Sequence, residues 1–284
     1  MASPVTTQQI TDISGSEVVA YQPLSGGCVS DVKRADLRDG RKLVIKQGGE
    51  ANLEIEGRML DYLGKHSPIP FPAVLHAEPG LLIMNFIEND GHMNGQVQSD
   101  LAVLLASQHQ VTQDRFGLSF DTLIGGLDQP NPLTGDWITF FRDHRLLYMA
   151  KQATKCRRLP GHFLSRIETL STKLGDLLPL DCKPSLLHGD LWGGNILCQQ
   201  GKIAGLVDPA VYFGDREIEL SFGTLFGDLT PAFFDRYSEI FPILPGFFEE
   251  RRDLYNLYPL LAHVRLFGES YVGSVDRILI RFGV

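Results

Sequence analysis

The sequence predicts an α+β fold in two lobes, a small β-rich N-terminal lobe over residues 1–87 and a larger, mostly helical C-terminal lobe over residues 88–284. Three observations predict it. Up to residue 87, short apolar runs alternate with Gly, Pro and Asp-Gly punctuation, the pattern of strands joined by tight turns. Beyond it, apolar residues recur at three- and four-residue spacing over long stretches, the pattern of helices packed on one face. Of the 284 residues, 43% are hydrophobic, enough to bury a sizeable core.

The N-terminal elements follow in order. Tyr21-Gln22-Pro23-Leu24 leads into Ser25-Gly26-Gly27-Cys28-Val29-Ser30, a glycine-rich loop, and Asp31 to Leu37 returns as a strand. Asp39-Gly40 is a hairpin turn, and Leu43-Val44-Ile45-Lys46 forms a third strand. A helical stretch begins at Glu56, with Met59, Leu60 and Leu63 on one face. Pro68, Pro70 and Pro72 carry the chain to Ala73–Ala77. Leu81 to Ile87 then reads as a buried strand passing into a linker, where Asn85, Phe86 and Ile87 are expected to offer backbone groups to an adenine ring.

In the C-terminal part, Ser99 is expected to cap a helix carrying Leu101, Leu104, Leu105 and Gln108. Trp137 to Ala153 reads as a second helix and Phe163 to Leu178 as a third, ended by Pro179. Helical periodicity resumes at Glu217–Leu225 and Arg251–Phe267. There is no internal repeat and no low-complexity segment.

Composition excludes several function classes. With 26 basic against 34 acidic residues the formal charge is −8, the opposite of a nucleic-acid footprint. The run Lys155-Cys156-Arg157-Arg158 reads as a solvated helix end. Cys28, Cys156, Cys182 and Cys198 are scattered without C-x-x-C spacing, as in a reducing cytosol. No apolar run reaches the ~18–20 residues needed to cross a bilayer, and Met1 to Gln9 lacks a signal-peptide core. A soluble cytoplasmic protein with neither membrane nor nucleic-acid partners is expected.

The chemistry is concentrated in His188-Gly189-Asp190-Leu191-Trp192-Gly193-Gly194-Asn195, with Asp208 following the apolar run Ile203 to Val207. An Asp, an Asn five positions on and a second Asp after a short hairpin suit phosphoryl transfer. Asp190 can accept a proton from a substrate hydroxyl, while Asn195 and Asp208 hold magnesium against ATP phosphates. One carboxylate and one amide suffice beside the phosphates, because magnesium takes hard oxygen ligands and keeps several waters. Upstream, Gly26 and Gly27 leave backbone N–H groups free to approach phosphate oxygens. Lys46 ends an apolar strand where an ammonium can meet the α/β-phosphates, with Glu56 as its expected partner and Glu54 as the competitor. The G-x-x-x-x-G-K-[S/T] spacing of a phosphate-binding Walker loop is absent.

The chain resembles the fructosamine/ketosamine kinases, a branch of the aminoglycoside-phosphotransferase-like and protein-kinase-like fold. The resemblance spans nearly all of it: Leu24-Ser25-Gly26-Gly27-Cys28, Phe116-Gly117, Gln129-Pro130-Asn131, Trp137, Phe140-Phe141, Arg145-Leu146, Leu187 to Asn195, Asp208 to Glu217, Leu257 to Leu261 and Arg265 to Gly268. It implies ATP-dependent phosphorylation of the 3-hydroxyl of ketosamines, the sugar adducts that glycation leaves on lysine, so that the adduct can be released. It implies Asp190 as base, Asn195 and Asp208 as magnesium ligands, and Lys46 with Glu56 as the phosphate-holding pair. Asp208-Pro209-Ala210 stands where protein kinases have Asp-Phe-Gly, so the Phe-packing switch of those enzymes does not carry over.

Other residues keep two readings. Trp192 can stack on the sugar or amine of the adduct, or pack beneath the catalytic loop. Asp215 and Arg216 sit at a distance suiting a substrate-side loop, with a structural ion pair as the alternative for Arg216. Glu219 is expected to accept N–H groups of the catalytic loop, His109 to be a satisfied core histidine, and His188 to brace the loop. Cys28, in the glycine-rich loop, can be a redox brake that links two chains through a disulfide, or a small turn residue. The chain is accordingly expected as a monomer or as a homodimer linked through Cys28. An aminoglycoside, choline or other amino-alcohol kinase of the same fold stays open, as does a non-catalytic ATP-binding, redox-sensing module. Glycated lysine, free or on proteins, as a ribulosamine, erythrulosamine or fructosamine, is the expected substrate.

Overall fold

The computed structural model describes residues 6–24, 30–48, 52–91 and 93–284. Gly26, Gly27 and Cys28 lie outside the described residues. The chain opens with α1 (Thr7–Ser14), whose N-terminus is closed by reciprocal bonds between Thr6 and Gln9. Then come β1 (Val18–Pro23), β2 (Asp31–Leu37), β3 (Lys42–Gln47), α2 (Leu53–His66), β4 (Val74–Glu78) and β5 (Leu81–Asn85). The five strands form one antiparallel sheet in the order β1-β2-β3-β5-β4. The Asp39-Gly40 hairpin joins β2 to β3, with Gly40 at φ +87°.

Strand β3 is buried on both faces, and this fixes where Lys46 points. Leu43 and Ile45 pack with Ile10 and Ala35, whereas Val44 packs with Leu53 and Leu60 of α2. Because side chains alternate along a strand, Lys46 shares the Val44 face and is delivered under α2. That helix lies close on the sheet because Gly57 has no side chain. A Cβ there would collide with Ala77 on β4 and sit 3.3 Å from Leu82 on β5.

The rest is mainly helical: α3 (Gly95–His109), the hairpin β6 (Thr122–Ile124) and β7 (Leu127–Gln129), α4 (Trp137–Phe141), α5 (Leu147–Lys155), α6 (Gly161–Ser171) and the single turn α7 (Leu174–Leu177). Three strand pieces follow, β8 (Ser185–Leu187), β9 (Ile196–Gln199) and β10 (Lys202–Leu206), and then β11 (Tyr212–Gly214), α8 (Arg216–Phe222), α9 (Pro231–Ile240), α10 (Arg252–Phe267) and α11 (Val272–Arg281). The largest core joins α4, α5, α6 and α10 around Trp137, Phe140, Phe141, Leu146 and Tyr255, and a second joins α3, α9 and β10.

The N-terminal strands and most of the expected helices match the sequence expectation, with three corrections. The first C-terminal helix starts at Gly95, capped by Asn94, which accepts the N–H groups of Gln96 and Val97; Ser99 lies inside it. The stretch Phe163 to Leu178 is two pieces, because α6 ends at Ser171 and the chain restarts at Leu174. The helix from Trp137 carries one wider π turn, Arg142–Leu146, which sets Arg145 wholly inside the protein. Helices α1, α9 and α11, the hairpin β6–β7 and the strand pair β8–β11 have no counterpart in the sequence expectation. Among the described residues, no helix is long and apolar enough to cross a membrane.

Two glycines of α2 make opposite demands. Replacing Gly57 by Val overpacks the α2–sheet contact, an effect of about 1–3 kcal/mol, and is expected to lower Tm by several degrees. Gly64 has nothing within 4 Å of a Cβ, so Gly64→Ala is expected to stabilise by about 0.5–1 kcal/mol through helix propensity. Thermal unfolding of both variants checks the pair.

Candidate active site

Lys46 lies 6% exposed and bridges two carboxylates from distant parts of the chain. Its Nζ is 2.6 Å from Glu56 Oε1 on α2 and also donates to Asp208 Oδ1, just beyond β10. Burial works against the ammonium, but Glu56 and Asp208 outweigh it and hold the lysine above its usual range. Glu54 points to solvent, which settles the partner. Asp208 itself sits at φ +52°, in the left-handed region that Asp tolerates better than most residues and that costs of order 1–2 kcal/mol. The lysine bond and its neighbours in the loop hold it there.

The catalytic loop is fixed by its own backbone. Leu187 of β8 faces Tyr212 of β11, so the chain leaves β8 beside the segment that follows Asp208. Gly189 turns with φ +86°, and a Cβ there would strike the Ala210 carbonyl; glycine is required by that close approach. His188 Nδ1 accepts the Asp190 N–H at 3.3 Å, which leaves its Nε2–H to donate to the Val207 carbonyl at 3.0 Å. Ala210 N–H donates to the His188 carbonyl at 2.7 Å.

Asn195 links Asp190 to Val207, the residue before Asp208. Its Nδ2 donates to the Asp190 carbonyl at 2.8 Å and to Asp190 Oδ2 at 3.1 Å, leaving the amide oxygen as the group available to a cation. Its own carbonyl accepts the Val207 N–H at 3.1 Å. Burial pushes the Asp190 carboxyl up to about 7, assisted by the charges of Asp208 and Glu219 and opposed by the Asn195 bond. A carboxylate and an amide from Asp208 and Asn195 are hard oxygen donors, the set that suits magnesium shared with phosphates. Among the described residues, no group of three His, Cys, Asp or Glu side chains stands ready to hold a metal.

Buried polar groups brace the loop from behind. Glu219 Oε1 accepts the Gly189 N–H at 2.6 Å, and its Oε2 faces His109 Nε2 at 2.8 Å. Burial raises this carboxyl, but bonds from His109 and Gly189 win and hold it below the usual range. His109, whose pKa burial lowers, meets the Tyr237 hydroxyl through Nδ1 at 2.7 Å. Arg216 Nη1 donates to the same hydroxyl at 3.2 Å. On the other side Gln129 Nε2 donates to the Ala210 carbonyl at 2.9 Å. The fully buried Arg145 holds the neighbouring Asn131 at 2.6 Å, with its guanidinium 3.9 Å from the Tyr212 ring centre. The sequence marks Gln129 and Arg145 only as positions of the resemblance; their closed surroundings give them a role.

The remaining expected residues divide. Trp192 is 38% exposed, meets Phe226 edge-on at 5.8 Å and lies over Gly194, where a Cβ would strike the indole. Asp215 is buried, accepting the Tyr255 hydroxyl at 2.6 Å and capping α8 through Glu217 N–H. Arg216 donates to the Phe241 and Pro242 carbonyls and lies over the Phe241 ring. Both therefore serve the packing of α8 against α9 and α10, and Arg216 does so through carbonyls rather than an ion pair. In the linker, the Asn85 and Phe86 N–H groups donate to Ala73 and Lys42 carbonyls, so neither amide is left for a nucleotide base. Ile87 reaches across to β10, close against Gly205.

The comparisons agree with this geometry. The fructosamine kinase family profile matches residues 2–282. The chain is 39% identical over 207 residues to a probable ketoamine kinase of Enterococcus faecium, covering 72% of this chain and 73% of that one. It is 31% identical to a chloroplastic protein-ribulosamine 3-kinase of Oryza sativa subsp. indica, covering 97% of this chain and 82% of the relative. A crystal structure of a Thermobifida fusca protein assigned as a fructosamine-3-kinase superposes with a TM-score of 0.87 at 28% identity, over 97% of this chain and 98% of that one. An aminoglycoside phosphotransferase crystallised with AMP-PNP and hygromycin B shares the protein-kinase-like fold, with a TM-score of 0.69 at 17% identity over 98% of each chain. With its sheet lobe, its helical remainder and a match from end to end, this chain belongs to the fructosamine kinase family.

Proposed function

We propose that this chain uses ATP and magnesium to phosphorylate the 3-hydroxyl of ketosamines, the sugar adducts of lysine, with Asp190 as the proton acceptor. One observation carries the reading. Lys46 bonds Asp208, Asn195 bonds Asp190, and Val207, the residue before Asp208, donates to the Asn195 carbonyl, so four groups, each with a separate task in phosphoryl transfer, lie side by side. The names of the relatives, ketoamine kinase and protein-ribulosamine 3-kinase, supply the substrate class.

Bound nucleotide and magnesium would supply the phosphoryl group and neutralise its developing charge. Asp208 and the Asn195 amide oxygen would hold the metal, and Lys46 would move from Asp208 toward the phosphates while keeping Glu56. Asp190 orients the acceptor hydroxyl and takes its proton; burial, which raises its affinity for that proton, suits it to the task. His188 and Glu219 keep the loop in register, so orientation is set before substrate arrives. We take the lobe boundary near residue 87, where β5 passes into the linker, and the reducing cytoplasm as the place of action, in keeping with the scattered cysteines.

Asp190→Asn is expected to lower kcat by ~10²-fold or more while nucleotide binding survives, because the phosphate-side groups are untouched. Asp208→Asn is expected to lose magnesium-dependent ATP affinity instead. Turnover assays and calorimetric titration of nucleotide with and without magnesium separate the two. Equal turnover of wild type and Asp190→Asn removes Asp190 from the chemistry.

On the acceptor side, the wild type is expected to transfer label from ATP to ribulosyl-, erythrulosyl- or fructosyl-lysine and not to kanamycin or choline. Strong labelling of the aminoglycoside with none of the glycated lysines overturns the ketosamine assignment.

A further inference from the structure

A ketosamine places a secondary ammonium four bonds from the oxygen that is to be phosphorylated. A pocket built for it needs a carboxylate or carbonyl free to receive that cation while Asp190 attends to the hydroxyl. The acids around the catalytic loop can be accounted for one by one. Glu56 and Asp208 are engaged by Lys46. Glu219 holds Gly189 and His109. Asp215 accepts from Tyr255 and Glu217, and Glu217 takes both arms of Arg251 at 2.6 and 2.9 Å.

Asp228, in the loop between α8 and α9, differs from all of these. Its Oδ2 accepts the Gly193 N–H at 2.8 Å, while Oδ1 lies against the same glycine, 2.5 Å from where a Cβ would stand. Oδ1 makes no hydrogen bond among the described residues, and the side chain is half-exposed. Gln98 Nε2 donates to the Asp228 carbonyl at 2.8 Å, which fixes the residue to α3. Two positions earlier the same loop carries Phe226, 43% exposed, whose ring meets Trp192. Asp228 thus meets Gly193, while Phe226 of the same loop meets Trp192, whose ring lies over Gly194; Gly193 is three residues from Asp190 and so within ~10 Å of chain.

We infer that Asp228 is the specificity-determining carboxylate of this site, receiving the substrate ammonium through Oδ1, with the exposed Trp192 and Phe226 rings nearby in the chain to cover the rest of the adduct. The inference rests on the ketosamine reading and deepens it. Aromatic faces beside a carboxylate suit a cation carried on an aliphatic stem, since the rings attract the charge and cover the methylenes. The absence of a side chain at Gly193 has a matching reason: any Cβ there would push the carboxylate off the loop.

The test compares wild type with Asp228→Asn, which keeps an oxygen for the Gly193 N–H and removes only the charge. Each is assayed with ribulosyl-lysine and with the same compound acetylated on its linking nitrogen, which is neutral there. Loss of a charge-assisted bond is expected to raise KM for the cationic substrate about tenfold or more, with kcat nearly unchanged. KM for the neutral compound should not differ between the two proteins, nor should Tm. Calorimetric binding of ribulosyl-lysine should weaken by the same factor without any turnover. An unchanged KM for the cationic substrate, or an equal rise for both compounds, overturns the role of Asp228 alone. No transfer by the wild type to either compound overturns the ketosamine reading, and this inference with it.

Discussion

The structure depends on one buried ammonium held by two carboxylates that the sequence places 152 residues apart, Glu56 and Asp208. Taking Lys46 out of water is unfavourable unless it is paired, and removing one partner of a buried pair typically costs about 3–5 kcal/mol. Here the pairing also joins the sheet lobe to the segment after β10, because one acid comes from each side. On the proposed reading, in which Asp208 would hold the metal, Lys46 would exchange one of its two carboxylate partners for phosphate oxygens when nucleotide binds.

That exchange asks for rigidity on one side only. The catalytic loop is held through backbone groups: Gly189 by Glu219, Ala210 by Gln129 and His188, Gly193 by Asp228. The side chains of Asp190 and Asn195 are thereby left to bond each other. Three glycines make this possible, since a Cβ at Gly189, Gly193 or Gly194 would strike a carbonyl, a carboxylate or an indole. The tight packing around the loop fixes Asp190 through backbone groups, so that of its carboxylate oxygens only Oδ2 is bonded within the loop, by Asn195.

Much of this was legible in the sequence, for identifiable reasons. Lys46, Asp190, Asn195 and Asp208 stand in a spacing that only a few chemistries need, and strand alternation predicts the burial of Val44 and Lys46 on one side. The roles expected for His109, His188 and Glu219 follow from residue type and helix-face or loop position, although His109 and Glu219 meet across 110 residues of chain. What was not legible depends on long-range closure. Gln129 is marked in the sequence only as a position of the resemblance and Asp228 not at all, until the fold brings them to Ala210 and Gly193. Asp215 and Arg216 follow Asp208 closely enough to suggest a substrate loop, yet α8 turns them toward Tyr255 and Phe241. The broken helix after Phe163 and the displaced cap at Asn94 are local choices that periodicity does not resolve.

The left-handed backbone at Asp208 also bears on how such a site can decay. Glycine takes that conformation freely, asparagine and aspartate tolerate it, and β-branched residues do not. Substitutions that spare the backbone at this position are therefore drawn from a short set in which aspartate is the one residue with a full negative charge. On the proposed reading, a lineage released from selection for catalysis would settle on Asn or Gly here, keeping the turn but giving up one partner of Lys46 and the acid that would hold the metal. The residue at this single position in a related chain would then tell whether the charge that the proposed chemistry needs is still present.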